Sequence, residues 1–160
     1  MKTLSAVLAL TSVLASASIA AAATQGAGGG DSPSPTPVPM PAATLKWTDL
    51  DPVGAPGVKV ADLWGNHASG AFGAFFELPP GFAAPLHTHT HDMKLITVSG
   101  TYIQGPEGQP EFKLGPGSYL LQPGGNYRHT TRCDTASACV FFVESDGAFD
   151  LKSATAGAPK

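Results

Sequence analysis

Across residues 58–144, apolar and polar side chains alternate over short runs, and Gly or Pro interrupts the alternation at close intervals. A period of two belongs to a strand with one buried face. A helix would repeat its apolar positions every third or fourth residue, and no stretch of this region does so. Strands are expected at 58–63, 73–78, 87–91, 94–99, 101–104, 118–122, 127–132 and 140–144. The turns between them are Pro79-Pro80-Gly81, Gly105-Pro106-Glu107-Gly108, Gly115-Pro116-Gly117 and Pro123-Gly124-Gly125,. About eight short strands predict an all-β, single-domain jelly-roll barrel, which limits exposed sheet edges in so small a domain. Phe75-Phe76 and Phe141-Phe142 are adjacent pairs on strands, so one member of each faces the core,.

The pattern changes completely at the N-terminus. Lys2 precedes an apolar stretch over 4–19, and the run Ala20-Ala21-Ala22-Ala23 offers small-residue cleavage sites. That layout predicts a signal peptide over residues 1–23, with a retained anchor helix as the competing reading. Residues 24–43 are rich in Gly and then in alternating Pro (Pro33, Pro35, Pro37, Pro39, Pro41), a composition that favours an extended spacer,. It also leaves open a proline-rich ligand for another protein. The folded domain is expected over residues 44–151, followed by a flexible tail over 152–160.

Charge narrows the range of partners. Nine Lys and Arg stand against twelve Asp and Glu, for a formal net charge of −3. With no basic patch, neither nucleic acid nor, once the signal is cleaved, a membrane is expected as partner. Cys133 and Cys139 flank a short loop between two apolar or β-branched runs. In a secreted or periplasmic protein this pair is expected to form a disulfide, with a reactive thiol pair or metal ligation as alternatives.

Four of the five histidines fall in two short segments. In His87-Thr88-His89-Thr90-His91, strand alternation would put all three imidazoles on one face, close enough to converge on one cation,. The alternative is a solvated surface strand. His67, after Trp64-Gly65-Asn66, reads as a surface loop residue, and Tyr102, Tyr119 and Tyr127 as packing residues of which one could reach a pocket.

The longer pattern carries a resemblance. Gly81, five residues, His87-Thr88-His89, three residues, Met93, six residues and Gly100 resemble the first cupin motif at every position except its Glu. Gly117, five residues, Pro123-Gly124-Gly125 and then His129 resemble the second motif with one extra residue before the histidine. The phrases Pro85–Thr90, Val98–Thr101 and Gln122–Gly125 are most similar to two groups of cupins. One is the cupin-like domain of zinc-dependent anti-sigma factors; the other is the small three-histidine dioxygenases that cleave diketones.

The resemblance implies His87, His89 and His129 as ligands of one divalent metal ion, iron or zinc first and manganese, nickel or copper next. Met93 replaces the usual Glu ligand and reads as a packed core residue rather than a thioether ligand. The inserted residue puts Arg128 where the family has its histidine. His129 would therefore face outward unless the chain bulges. His91 is a candidate fourth ligand or catalytic acid/base, against simple exposure at the barrel mouth. Asp92 is a candidate for orienting a ligand imidazole, against a turn carboxylate, and Glu144 could replace the missing carboxylate. The function expected is an exported small-molecule metalloenzyme, dioxygenase-like or lyase-like and thus an oxidoreductase in the first case. The alternative is a non-catalytic metal- or ligand-binding sensor module. A homodimer is also open.

Overall fold

Period-two patterning is realised as eleven strands in the computed structural model, which describes residues 36–154. The chain divides into two units, 1–37 and 38–160, and the description that follows is of the second. The expected signal peptide lies outside the described residues, as do 24–35 of the expected linker and 155–160 of the tail. Among the described residues no helix is long and apolar enough to cross a membrane.

In chain order the strands are β1 (Thr48–Asp51), β2 (Ala55–Gly65), β3 (Phe72–Leu78), β4 (Ala83–Thr88), β5 (Met93–Ser99), β6 (Tyr102–Pro106), β7 (Phe112–Leu114), β8 (Tyr119–Gln122), β9 (His129–Cys133), β10 (Cys139–Ser145) and β11 (Lys152–Ser153). They form two antiparallel sheets, one ordered β1-β2-β3-β10-β5-β8 and the other β11-β4-β9-β6-β7. Consecutive strands repeatedly cross between the two sheets, as a jelly roll requires,.

Seven of the eight expected strands are present with shifted ends; of the expected strand 87–91 only 87 and 88 are strand, at the end of β4, and 89–91 leave the sheet. The three additional ones are short: β1 is mostly polar, and β7 and β11 have three and two residues. The tail expectation needs correction at its start. Lys152 pairs with Thr88 and Ser153 with His87, because β4 presents an open edge there.

The core lies between the sheets. Phe72, Ala74, Phe76 and Leu78 of β3 point inward, as do Phe141 and Val143 of β10 and Met93 and Leu95 of β5. Phe76 stacks on Phe141, with ring centroids 5.9 Å apart. Phe75 and Phe142 meet edge to face on the opposite side of the sheet. Each Phe pair is therefore split between core and outer face, as alternation demands. Cys133 and Cys139 form a disulfide across the β9–β10 connection.

Candidate metal centre

Three buried imidazoles meet between the sheets. His87 is the penultimate residue of β4, His129 begins β9, and the two are directly paired across the strands. The pairing slips between Ala84 and His87, where β4 uses one more residue than β9. This bulge helps to set His87 opposite His129. His129 is fully buried, and its neighbour Arg128 turns the other way, with its guanidinium 3.2 Å from Glu107. The residue inserted before His129 is absorbed in the turn preceding β9 and does not reverse the strand face.

His89 joins them from beyond the end of β4 and is also buried. One ring nitrogen from each of the three lies within 4.8 Å of the others. Each ring is oriented by a backbone carbonyl. Nδ1 of His87 donates to Pro85 O (2.6 Å), Nδ1 of His89 to Asp150 O (2.5 Å), and Nδ1 of His129 to Tyr127 O (3.3 Å). A proton held on Nδ1 leaves Nε2 with its lone pair free, the tautomer that a metal needs. His129 Nε2 is buried and has no hydrogen-bond partner among the described residues. Burial opposes protonation of all three: it lowers His87, takes His89 down to about 4, and with His87 and His89 nearby takes His129 down to about 3. Three neutral nitrogen donors, one of them without a partner, fit a borderline divalent cation.

The segment after β10 straps this centre. Phe149 packs on His89 and on Phe76, with centroids 5.4 and 5.1 Å apart. Thr90 donates to the Asp150 carboxylate through both its N–H and its hydroxyl, and Lys152 lies 3.4 Å from the same group. Burial alone would raise the Asp150 carboxyl, but the Thr90 bonds and the Lys152 ammonium together hold it below the usual range. None of this was legible beforehand, since Phe149 and Asp150 follow the last expected strand and carry no motif.

Strand alternation overreaches at His91. The strand stops at Thr88, the chain bends, and His91 is exposed with its ring against Gly147, where an added Cβ would lie 2.4 Å from the imidazole. Asp92 accepts a hydrogen bond from Gly124 N–H (2.7 Å), and Gly125 N–H donates to His89 O. An added Cβ at Gly124 would lie 2.6 Å from Thr90 O, so the Pro-Gly-Gly turn can close against this bend only without a side chain there,. Glu144 points away from the centre and pairs with Lys94 at 2.9 Å. His67 is more enclosed than a surface loop residue. Its Nδ1 lies 3.0 Å from Asp62, and its ring contacts Phe72 and Phe76 edge to face.

A cavity of about 80 Å³ adjoins His87 and His89. Its walls include His87, His89, Met93, Tyr102, Gln122 and Thr131, and the rest of the lining is apolar. Met93, at the position of the family's Glu, is buried and packed in the core.

The family model described as "Domain of unknown function (DUF4437)" matches residues 37–157. The chain belongs to that family. The chain has the cupin fold, shown by solved structures that superpose over most of it. The polyketide cyclase RemF from Streptomyces resistomycificus matches with a TM-score of 0.63 at 18% identity, covering 75% of this chain and 87% of the other. Rru_A2000 from Rhodospirillum rubrum, a cupin-2 domain, gives 0.57 at 18%, covering 76% and 83%. The DMSP lyase DddQ from Ruegeria pomeroyi gives 0.53 at 23%, covering 70% and 60%. No curated protein matches this sequence.

Proposed function

We propose that this protein is an exported metalloenzyme that binds one divalent metal ion, iron or zinc first, through His87, His89 and His129 and acts on a small molecule in the adjoining cavity. The supporting observation is His129 Nε2, buried without a partner beside two other neutral imidazoles. An unpaired acceptor in the interior is costly, and a cation removes the cost. When bound, the metal supplies Lewis acidity, polarising an oxygen function of the substrate or a bound water. The protein's own contribution is positional. Pro85, Asp150 and Tyr127 fix the three rings through their carbonyls, while Phe149 packs on His89 and apolar side chains make up most of the cavity wall.

His91 and Asp92 do not line the cavity. We assign them to shaping the bend between β4 and β5 rather than to acid/base work. The relatives named for cyclase and lyase activities differ among themselves, so the fold does not choose a reaction,. An oxidative cleavage rests on the motif resemblance. Export is supported by the disulfide, which belongs to an oxidising compartment,.

A second reading, a ligand-binding or sensing module, is favoured by one observation: among the described residues, no Asp, Glu, Lys or Arg lines the cavity to move a proton. Metal analysis of protein purified from the exported fraction separates the readings. About one iron or other redox-active ion per chain with turnover supports the enzyme, and one tightly held zinc without turnover supports the module. Fully stable protein that binds no added divalent metal would sink both.

A further inference from the structure

An antiparallel sheet with one face on the core and the other in water normally carries polar residues at its outward positions. The six-stranded sheet departs from that rule over five adjacent strands, β2, β3, β10, β5 and β8. Phe75, Phe142, Ile96 and Tyr119 are in register across the last four, so their side chains form one apolar row on the outer face. Val98 follows Ile96 on β5 and Leu121 follows Tyr119 on β8, each two residues on and so on the same face,. Trp64 of β2 lies over Gly73 of β3, where an added Cβ would overlap its Nε1. Phe75 and Phe142 shelter each other edge to face. Trp64, Ile96, Val98, Tyr119 and Leu121 have no such cover and are between 44 and 57% exposed. Single exposed apolar residues are ordinary, but a contiguous row across a sheet marks an interaction surface.

The shape of the face argues against a small ligand. The cavity beside His87 and His89 is lined by none of these side chains, and neither is the surface groove around His67 and Asp150. Charge then selects the partner. Lys59 pairs in register with Glu77 on one side of the apolar row, and Lys94 with Glu144 on the other, all at outward positions. Two cations and two anions leave the face locally neutral in a chain whose net charge is −3. Such a surface meets a copy of itself without net repulsion and with both signs available for pairing across the contact. An anionic membrane or nucleic acid would call for a cationic excess that these strands lack. The area is also adequate. Five strands about 4.8 Å apart, of roughly seven residues at about 3.3 Å each, project on the order of 550 Å² before side-chain relief is added. A standard interface buries roughly 600–1,000 Å² on each partner.

We propose that this outer face joins two copies of the chain across a two-fold axis, with the Phe142–Ile96–Tyr119 row at the centre of the contact. Apolar side chains at the middle and mixed charges at the margin are what a self-complementary surface needs. No metal ligand lies on this face, so the contact is independent of the metal centre.

Sedimentation equilibrium of protein purified from the exported fraction tests the proposal, with a chelator present to exclude metal-bridged association. A standard-size interface binds at micromolar affinity or tighter, so protein at about 100 μM should show twice the mass of one chain. Ile96→Lys combined with Tyr119→Lys should raise the dissociation constant about 30-fold or more while thermal melting stays cooperative, because both side chains already face water in a single copy. Leu121→Ser should loosen the dimer as well, and serves as the test if the double variant does not melt cooperatively. Val53→Lys, at a residue 92% exposed in the turn between β1 and β2, should leave the mass unchanged. A single-chain mass for the unaltered protein overturns the proposal and leaves the face to a different partner. A dimer that survives the face substitutions, or that Val53→Lys disrupts equally, overturns it by placing the contact elsewhere.

Discussion

Two clusters of polar side chains are buried side by side in this barrel, and they are satisfied in opposite ways. In one, the Tyr102 hydroxyl donates to Gln104 Oε1 (2.9 Å) and meets Thr131 Oγ1, while Gln104 Nε2 donates to the Tyr127 hydroxyl (3.3 Å). The protein completes these bonds from its own side chains. In the other, His87, His89 and His129 use their Nδ1 atoms on backbone carbonyls and turn their remaining nitrogens toward one another, where His129 Nε2 has no partner. Tyr127 joins the two, its ring stacked on His129 at 5.2 Å. A closed network adds rigidity, whereas an open one carries a cost that only a further ligand can remove. Burial alone would not have told them apart; the count of unused lone pairs does.

Breaking a member of each cluster should therefore give different results. His129→Ala should weaken zinc binding by two orders of magnitude or more, as read by competition with a chelator, because the centre keeps only two donors. Tyr102→Phe should leave metal content unchanged and cost about 1–3 kcal/mol of stability, since it strips bonds from Gln104 and Thr131. Equal metal loss in both variants would erase the distinction.

Acid sharpens the same contrast. The folded imidazoles are depressed below the ordinary histidine value of 6.5, His89 to about 4 and His129 to about 3. Below pH 6.5 the unfolded chain binds protons that the folded one refuses, so stability of the metal-free protein falls as pH drops from about 6.5 toward 4. The Tyr102 network contributes nothing in that window, because burial pushes its phenol further up. Urea midpoints of metal-free protein at pH 7 and pH 5 check this, and equal midpoints would mean that the rings are hydrated in solution.

The disulfide comes next in size. It closes a short loop between β9 and β10, and its reduction should cost on the order of 2–3 kcal/mol by chain entropy. Free-thiol titration of unreduced, denatured protein should find none, and metal content should survive reduction.

The sequence made one part of this molecule far more legible than the other. Seven of the eight expected strands, the inward Phe of each pair and the disulfide all follow from local pattern. So does the meeting of His87, His89 and His129, through motif spacing. What escaped depends on distant segments coming together. Asp150 orients His89 from 61 residues away, and Phe149 covers it from a stretch with no periodicity. The inserted residue before His129 could not be placed from sequence, since a turn and a strand bulge absorb it equally well on paper.

The smallest expected effect is the one that most directly tests the division between site and scaffold. His91 belongs to the same run as two assigned ligands, and strict alternation would have put it beside them. Instead the chain leaves β4 at Thr88, bends, and is pinned by Gly125 N–H on His89 O and by Gly124 N–H on Asp92. His91 is left exposed, its ring lying over the backbone of Gly147. His91→Ala should therefore leave metal content and the affinity for zinc unchanged and alter stability by no more than about 0.5 kcal/mol, as for other surface substitutions. Asp92→Asn should retain metal too, because an amide oxygen can still accept from Gly124. If His91→Ala instead lost metal as His129→Ala should, the bend would have to straighten in solution, returning His91 to the face that alternation assigned it and opening the 90–92 segment that now closes against the Pro-Gly-Gly turn.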